Sequence, residues 1–232
     1  MKQEIKILLG VWLALCLYSC QTKVVTVRYE KRVVERYQVL TKSNVRHGYY
    51  KVYHDNGNIA LEHTYNHGAL NGSEKIYHED GSLSGNLGIK NGNYEGPFVY
   101  YHPEGTVKQK GYYKEDKMNG ELCSYYANGT LKECVTMKEN VEQGVFREYA
   151  TNGVLVRQGN YVSILGDKEG LEDGLIYEYD SETRQLKSKK RCKEGFCCTV
   201  WERDKGYLRP STSICDEIMN GAPEKSSMLG SE

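Results

Sequence analysis

The sequence predicts an all-β protein, an elongated single antiparallel meander sheet built from six tandem 24-residue β-hairpin repeats. Three observations carry that prediction. Glycines recur at Gly48, Gly72, Gly96, Gly120 and Gly144, and a second set at Gly57, Gly81, Gly105, Gly129 and Gly153 keeps the same spacing. A fixed period of this length marks a repeat architecture. The second set falls in Asn56-Gly57, Asp80-Gly81, Glu104-Gly105, Asn128-Gly129 and Asn152-Gly153. Asn-Gly and Asp-Gly are strong signals for a two-residue hairpin turn with positive φ at both central positions. Finally, no repeat offers the run of about ten to twelve helically periodic residues that a crossover helix needs.

The apolar positions keep the same register. Tyr53, Tyr77, Tyr101, Tyr125 and Tyr149 stand five residues after successive leading glycines, and Ile59, Leu83, Val107, Leu131 and Leu155 eleven after. Tyr65, Ile89, Tyr113, Met137 and Tyr161 stand seventeen after. A sixth copy, with Gly174, Tyr179, Leu186 and Cys192, follows a six-residue insertion. About six residues on each side of a turn give strands of about 20 Å. Both glycine sets are read as bends of a stacked ribbon, which places the repeat array at residues 47–198.

Composition agrees with a thin sheet. Mean hydropathy is −0.66, low for a chain with a thick core. The chain holds 20 Tyr against 3 Phe and 2 Trp, and a tyrosine hydroxyl must reach water or a partner. Rings lying half in water are expected. Lysine plus arginine equal aspartate plus glutamate at 31 each, so no global field selects nucleic acid.

The N-terminus reads as an address. Lys2 and Lys6 precede the apolar run Ile7 to Leu17, which is too short for a bilayer span of about 20 residues and has the proportions of a secretory signal. Leu17-Tyr18-Ser19-Cys20 resembles a bacterial lipobox, although Tyr18 is bulky for its position. That resemblance implies a signal peptide over residues 1–19 and lipidation of Cys20. A plain signal peptide is the rival reading. Gln21 and Thr22 place no aspartate beside Cys20, which for such lipoproteins implies the outer membrane. With no acidic export run, a periplasm-facing anchor is expected. Residues 20–46 then form the anchor and an N-terminal strand or tether. Val25, Val27 and Tyr29 alternate with polar residues as a half-buried strand does, while Val33-Val34 interrupt the pattern. A strand capping the array's edge and an extended tether both fit.

The pattern Gly-x-x-x-x-Tyr-(Tyr/His)-x-(Asn/Asp)-Gly-x-(Leu/Ile/Val), clearest over Asn119 to Leu131, resembles the MORN repeat variant of bacterial proteins. The family often carries Trp two residues after the leading glycine, where this chain has Tyr50, Glu74, Phe98, Leu122, Phe146 and Ile176. Glu74 is the departure that puts the packing of the second repeat in question. Such repeats are grouped with a YwqK-type antitoxin family, which implies binding rather than catalysis.

Few residues converge on chemistry. His54, His78 and His102 form a column, but equivalent positions in stacked hairpins are about 10 Å apart, too far to share a zinc ion held at about 2.0–2.1 Å. His47, His63 and His67 could approach one another within the first repeat; surface imidazoles are the expectation. There is no nucleophile elbow, no phosphate loop with lysine and no His-Glu-x-x-His. Glu74, Glu148 and Glu178 fall in different repeats without a shared context. The sequence therefore predicts no enzyme, no cofactor and no metal.

With Cys16 assigned to the leader and Cys20 to lipid, six cysteines remain, as suits an oxidising compartment. A two-residue turn at Asn128-Gly129 pairs Ala127 with Thr130, and so Cys123 with Cys134, at a hydrogen-bonded site with Cα atoms about 5.5 Å apart. Cys192, Cys197, Cys198 and Cys215 are expected to staple the last hairpin and its cap, with zinc as the weaker rival. Residues 199–232 read as a C-terminal cap and a disordered tail. Lys187 to Lys193 holds five basic residues in seven, a solvated strand face or a surface for anionic lipid or polysaccharide.

The expected function is a membrane-anchored, non-catalytic scaffold that binds a protein partner, with Tyr53, Tyr77, Tyr101, Tyr125 and Tyr149 as an aromatic strip. The strip could equally be the sheet's own packing face. An antitoxin or immunity protein is the alternative that the family resemblance implies, although export separates it from a cytosolic toxin. Glycan or peptidoglycan binding along the tyrosines is the third reading.

Overall fold

The computed structural model describes residues 21–163, 169–208 and 213–220. The expected leader, Cys20 and the tail after Asn220 lie outside them. The strands form a single open antiparallel sheet of 18 strands. The chain sorts into two compact units, residues up to Gly105 with Tyr113–Asp116, and Thr106–Tyr112 with Lys117 onward.

The first unit contains β1 (Thr22–Tyr29), β2 (Arg32–Leu40), β3 (Arg46–Tyr53), β4 (Ile59–Asn66), β5 (Ala69–Leu70), β6 (Gly72–Tyr77), β7 (Leu83–Lys90) and β8 (Asn93–Tyr101). β1 and β2 pair as a hairpin with a register shift at Val27/Arg28, and β2 pairs with β3. Residues 22–40 are therefore part of the sheet, not a tether. β9 (Val107–Lys114) gives Tyr113 to the first unit and residues 107–112 to the second. The second unit continues through β10 (Lys117–Met118), β11 (Gly120–Tyr125), β12 (Leu131–Lys138), β13 (Val141–Tyr149) and β14 (Leu155–Val162). β15 (Leu171–Tyr179), β16 (Leu186–Lys193), β17 (Phe196–Glu202), β18 (Gly206–Tyr207) and a helix α1 (Ser213–Asn220) complete it. The helix departs from an all-β reading. Asp216 in its first turn suits the helix dipole, and Ile218 is buried.

Two kinds of turn alternate; the Asn-Gly and Asp-Gly turns fall where the dipeptides suggested, but their loops are one residue longer than expected. At the Asn-Gly turns only the glycine has positive φ. The Tyr126 amide bonds the Thr130 carbonyl at 2.9 Å and the Gly129 amide bonds the Tyr126 carbonyl at 2.8 Å. The loop thus has three residues, with glycine in the left-handed position of a bulged turn. His54/Asn58, His78/Ser82 and Ala150/Val154 close the same way. The two-residue loops with positive φ at both positions are His67-Gly68, Asn91-Gly92, Glu115-Asp116, Glu139-Asn140 and Glu194-Gly195, which join one repeat to the next.

The leading glycines are not bends between strands. Gly48, Gly96, Gly144 and Gly174 lie inside strands, and Gly72 and Gly120 open them. Next to Gly144 the register passes from Val135↔Phe146 to Met137↔Glu142, a slip of two residues; next to Gly96 it passes from Leu87↔Phe98 to Ile89↔Tyr94. Each is a bulge at positive φ (82° at Gly144), where only glycine sits without strain.

The bulge turns the side chain two residues later into the core. Phe98, Phe146 and Ile176 are almost fully buried, at 2%, 0% and 0% exposure. In the first unit Leu87 and Ile89 join Phe98, and Tyr113 and Tyr100 cover its ring at 4.8 and 5.6 Å. In the second, Val135, Met137, Phe146, Ile176 and Cys192 cluster, with Met118, Leu122 and Tyr161 packed against them. Gly159 makes room there, since a Cβ would collide with Ile176 and Phe146. Side-chain amides tie the repeats together. Asn56, Asn128 and Asn152 each donate Nδ2 to a carbonyl of the next repeat (Glu79, Thr151 and Ser181), at 2.6, 3.2 and 3.0 Å.

Candidate binding face

Strand alternation gives each unit a core face and an opposite face, and the five tyrosines lie on the opposite one. Tyr100 turns its ring to Phe98, so Tyr101 points away. Glu148 bonds Arg157, whose guanidinium lies 5.1 Å over the Phe146 ring, so Tyr149 points away as well. Tyr53, Tyr77, Tyr101, Tyr125 and Tyr149 end β3, β6, β8, β11 and β13 and are all half-buried. Tyr53, Tyr77, Tyr125 and Tyr149 pair across their hairpins with Ile59, Leu83, Leu131 and Leu155.

Around Tyr77 this face is built from opposite charges. Lys51, Glu62 and Lys75 lie side by side on β3, β4 and β6. Glu62 meets Lys51 at 3.2 Å and Lys75 at 3.6 Å, and accepts a 2.8 Å hydrogen bond from the Tyr77 hydroxyl. Burial, then the bond to Glu62, pushes the Tyr77 phenol up to about 12. The Tyr77 bond and the lysines hold the Glu62 carboxyl below its usual range. A cleft of about 300 Å³ opens there between Tyr49, Lys51, Glu62, Ser73 and Lys75. Further along, Lys110 Nζ lies 5.4 Å from the Tyr125 ring centre, a cation–π contact.

The core face carries two polar clusters that the sequence did not reveal. Glu74 occupies the core position of the second repeat, is only 8% exposed, and is fully engaged. His63 Nδ1 lies 3.3 Å from its Oε2, and the Tyr94 hydroxyl donates to Oε1 at 2.9 Å. These bonds hold the Glu74 carboxyl below its usual range, His63 contributing most. Burial and Glu74 push the Tyr94 phenol up to about 12. His63 stacks on Tyr50 at 4.7 Å, and the Arg46 guanidinium sits about 5 Å from the rings of Tyr37, Tyr50 and Tyr65 (5.1, 4.9 and 5.3 Å). The signal available was positional: a carboxylate where every other repeat places an apolar or aromatic residue needs buried partners.

In the second unit Arg157 joins three carboxylates from the two strands that flank it. It bonds Glu148 at 2.7 Å, pairs with Glu172, and reaches Glu178 at 3.9 Å. Burial alone would lower this guanidinium, but the bonds to Glu148 and Glu172 override it and raise it above the usual value. Glu148 and Glu178 therefore do share a context, because both are direct cross-strand partners of Arg157, one on each side of β14. Burial, with the Glu148 charge beside it, raises the Glu133 carboxyl.

The histidines do not converge. His54 Nε2 contacts the Tyr77 carbonyl at 3.0 Å, and His54, His78 and His102 are half-buried; of the three expected as surface imidazoles, His67 is exposed while His47 and His63 are half-buried. The His47 and His67 rings touch at 4.7 Å, while His63 is committed to Glu74. Among the described residues, three candidate ligand atoms gather at Glu121/Cys123/Cys134 and at Glu172/Cys192/Cys197; in both, the two sulfurs are joined as a disulfide. Cys123 bonds Cys134 with Cα atoms 4.2 Å apart, the spacing of a non-hydrogen-bonded pair and not the hydrogen-bonded one expected. The three-residue loop shifts the register by one, and the bulge at Lys132 shifts it back. Cys192 bonds Cys197 within the last hairpin, and Cys198 bonds Cys215 of α1.

Among known proteins, the chain shows low overall likeness to two solved structures. One is a porin-like protein from Bacteroides uniformis ATCC 8492, at 7% identity and TM-score 0.21, covering 77% of this chain and 92% of the other. The second is a protein with unknown function from Bacteroides fragilis NCTC 9343, at 10% identity and TM-score 0.15, covering 78% and 98%. Neither carries an argument at those scores. No curated protein matches the chain. Residues 46–67, 94–115, 118–139 and 142–163 match the MORN repeat variant family, and the repeats centred on Glu74 and on Ile176 fall outside those segments. Four segments of the chain are thus similar to MORN variant repeats, each holding one bulge glycine and one turn glycine.

Proposed function

We propose that this chain is a non-catalytic interaction scaffold of the bacterial cell envelope, lipid-anchored at Cys20 and facing the periplasm from the outer membrane. Its tyrosine-bearing face holds an extended segment of a protein partner. The observation that carries this reading is the side of the sheet on which the tyrosines stand. Phe98, Phe146 and Ile176 fill the core from the other side, so packing does not consume Tyr53, Tyr77, Tyr101, Tyr125 and Tyr149. Half-exposed tyrosines flanked by paired charges suit recognition, because a rigid ring gives large contact area at small entropic cost. Three disulfides fit an oxidising compartment.

The test is cross-linking of the native protein in intact envelopes, followed by identification of the bound chains. One defined protein set, lost in the Tyr101→Ala/Tyr125→Ala variant and unchanged in an exposed-residue control such as Lys23→Ala, supports the scaffold. Recovery that ignores the tyrosines overturns it. Fractionation addresses the anchor separately: Cys20→Ala should move the protein from membrane to soluble periplasm.

A further inference from the structure

The chain has no net charge, yet the second unit separates its charges by face. On β16, Ser188 and Lys190 both bond Glu178 at 2.6 Å, and Cys192 packs into the core cluster. Alternation along the strand then puts Lys189, Arg191 and Lys193 on the opposite face. Lys187 does not belong to this row: it is the bulge residue skipped where the β15 register steps from Glu178↔Ser188 to Tyr179↔Leu186, and it lines a cleft with Glu178, Asp180 and Glu202. None of the three forms an ion pair among the described residues. Glu148, Glu172 and Glu178 of the two preceding strands are held on the core face by Arg157.

The cross-strand neighbours of the basic row are uncharged. Lys189 pairs with Tyr177 on β15 and Trp201 on β17; Arg191 pairs with Leu175 and Cys198. Lys189 Nζ lies 5.9 Å from the Tyr177 ring centre and 5.7 Å from that of Trp201, so an aromatic flanks it on each side. Three cations at alternate positions of a strand span about 13 Å, the shape of a line and not of a pocket for one small ion.

We infer that this face of the sixth repeat binds a linear anionic polysaccharide, its carboxylate groups laid along Lys189, Arg191 and Lys193 and its sugar rings against Tyr177 and Trp201. A line of unpaired cations complements a chain that carries one negative charge per sugar. Flat aromatic faces beside them suit the C–H faces of pyranose rings. The site is separate from the five tyrosines of the proposed protein-binding strip.

Trp201 reports on the site directly. The chain has 2 tryptophans, Trp12 and Trp201, so a full-length Trp12→Phe protein has one, inside the proposed contact. Titration with a polyuronate oligosaccharide should change its emission saturably. Raising salt from 50 to 200 mM should weaken binding about tenfold, because the contact is exposed to screening. Lys193→Glu reverses an exposed charge at the end of the row and should weaken the response several-fold without altering the melting temperature; Lys23→Glu, on β1, should leave it unchanged. Lys189→Gln should weaken it in the same direction. No saturable response, an equal response to a neutral maltooligosaccharide, or a response only to phosphatidylglycerol vesicles would each overturn the assignment. Loss of uronate binding with partner cross-linking intact would leave the scaffold reading untouched.

Discussion

Glu74 shows what one residue does to a repeat. Its neighbours in register, Phe98 and Phe146, fill the core with aromatic rings; Glu74 fills it with a carboxylate tied to His63 and Tyr94. Replacing it by glutamine leaves the shape but removes the charge that strengthens both bonds. Glu74→Gln should therefore lower stability at pH 7 by about 1–3 kcal/mol. Because the folded carboxyl is held low, its stabilisation is complete above the unfolded value of about 4.3. It is lost as pH falls through the folded value. Urea midpoints of the two proteins should differ at pH 7 and converge well below pH 4; a constant difference across pH would show that Glu74 acts through packing alone. The sequence exposed Glu74 as a departure but not its partners, since His63 and Tyr94 become its neighbours only through the register of β4, β6 and β8. The same limit hid the pairing of Glu148 with Glu178, which two strand pairings and Arg157 bring about.

At the scale of the element, the period of the chain was legible and the job of each glycine was not. Glycine signals positive φ, but positive φ serves both a turn and a bulge. The leading set proved to be bulges, and the joining turns were missed both where they hold glycine, at His67-Gly68 and Asn91-Gly92, and where they lack it, at Glu115-Asp116 and Glu139-Asn140. Those residues occupy left-handed conformations (φ 52° at Glu139, 74° at Asn140), which cost an ordinary side chain about 1 kcal/mol. Glu139→Asn should thus raise stability by a few tenths to about 1 kcal/mol, read as a higher thermal midpoint with an unchanged circular dichroism spectrum. Gly144→Ala should do the opposite. Its Cβ would meet only Thr136, at ordinary contact distance, so the cost is the backbone strain itself, about 1–2 kcal/mol. A silent Gly144→Ala would mean that the bulge is not under conformational constraint.

At the scale of the whole chain, two of the three disulfides hold the last strands of the array and its helix, while Cys123–Cys134 lies within the fourth repeat. Cys198–Cys215 joins α1 to β17 across 17 residues, a loop whose closure is worth about 3 kcal/mol in a chain-entropy account. A Cys198→Ser/Cys215→Ser protein should show much faster amide exchange in α1 while β11 to β14 keep their protection; equal loss in both regions would make the bridge global. The pairing of Cys123 with Cys134 was legible from sequence only because a longer loop and a bulge cancel. The helix was not legible, because its eight residues follow a strand-rich array and offer little more than two turns of pattern. The basic run Lys187–Lys193 was legible, but the face its side chains take was not, since neutrality summed over residues says nothing of faces. One more consequence follows from the asparagines that link successive repeats. An asparagine followed by glycine is a site where the next backbone nitrogen readily attacks the side chain and expels ammonia, part of why asparagine is thermolabile. Slow ageing at Asn56, Asn128 and Asn152 would put a carboxylate against a carbonyl oxygen in place of a donor. The oldest molecules should then loosen first at their seams, one repeat from the next.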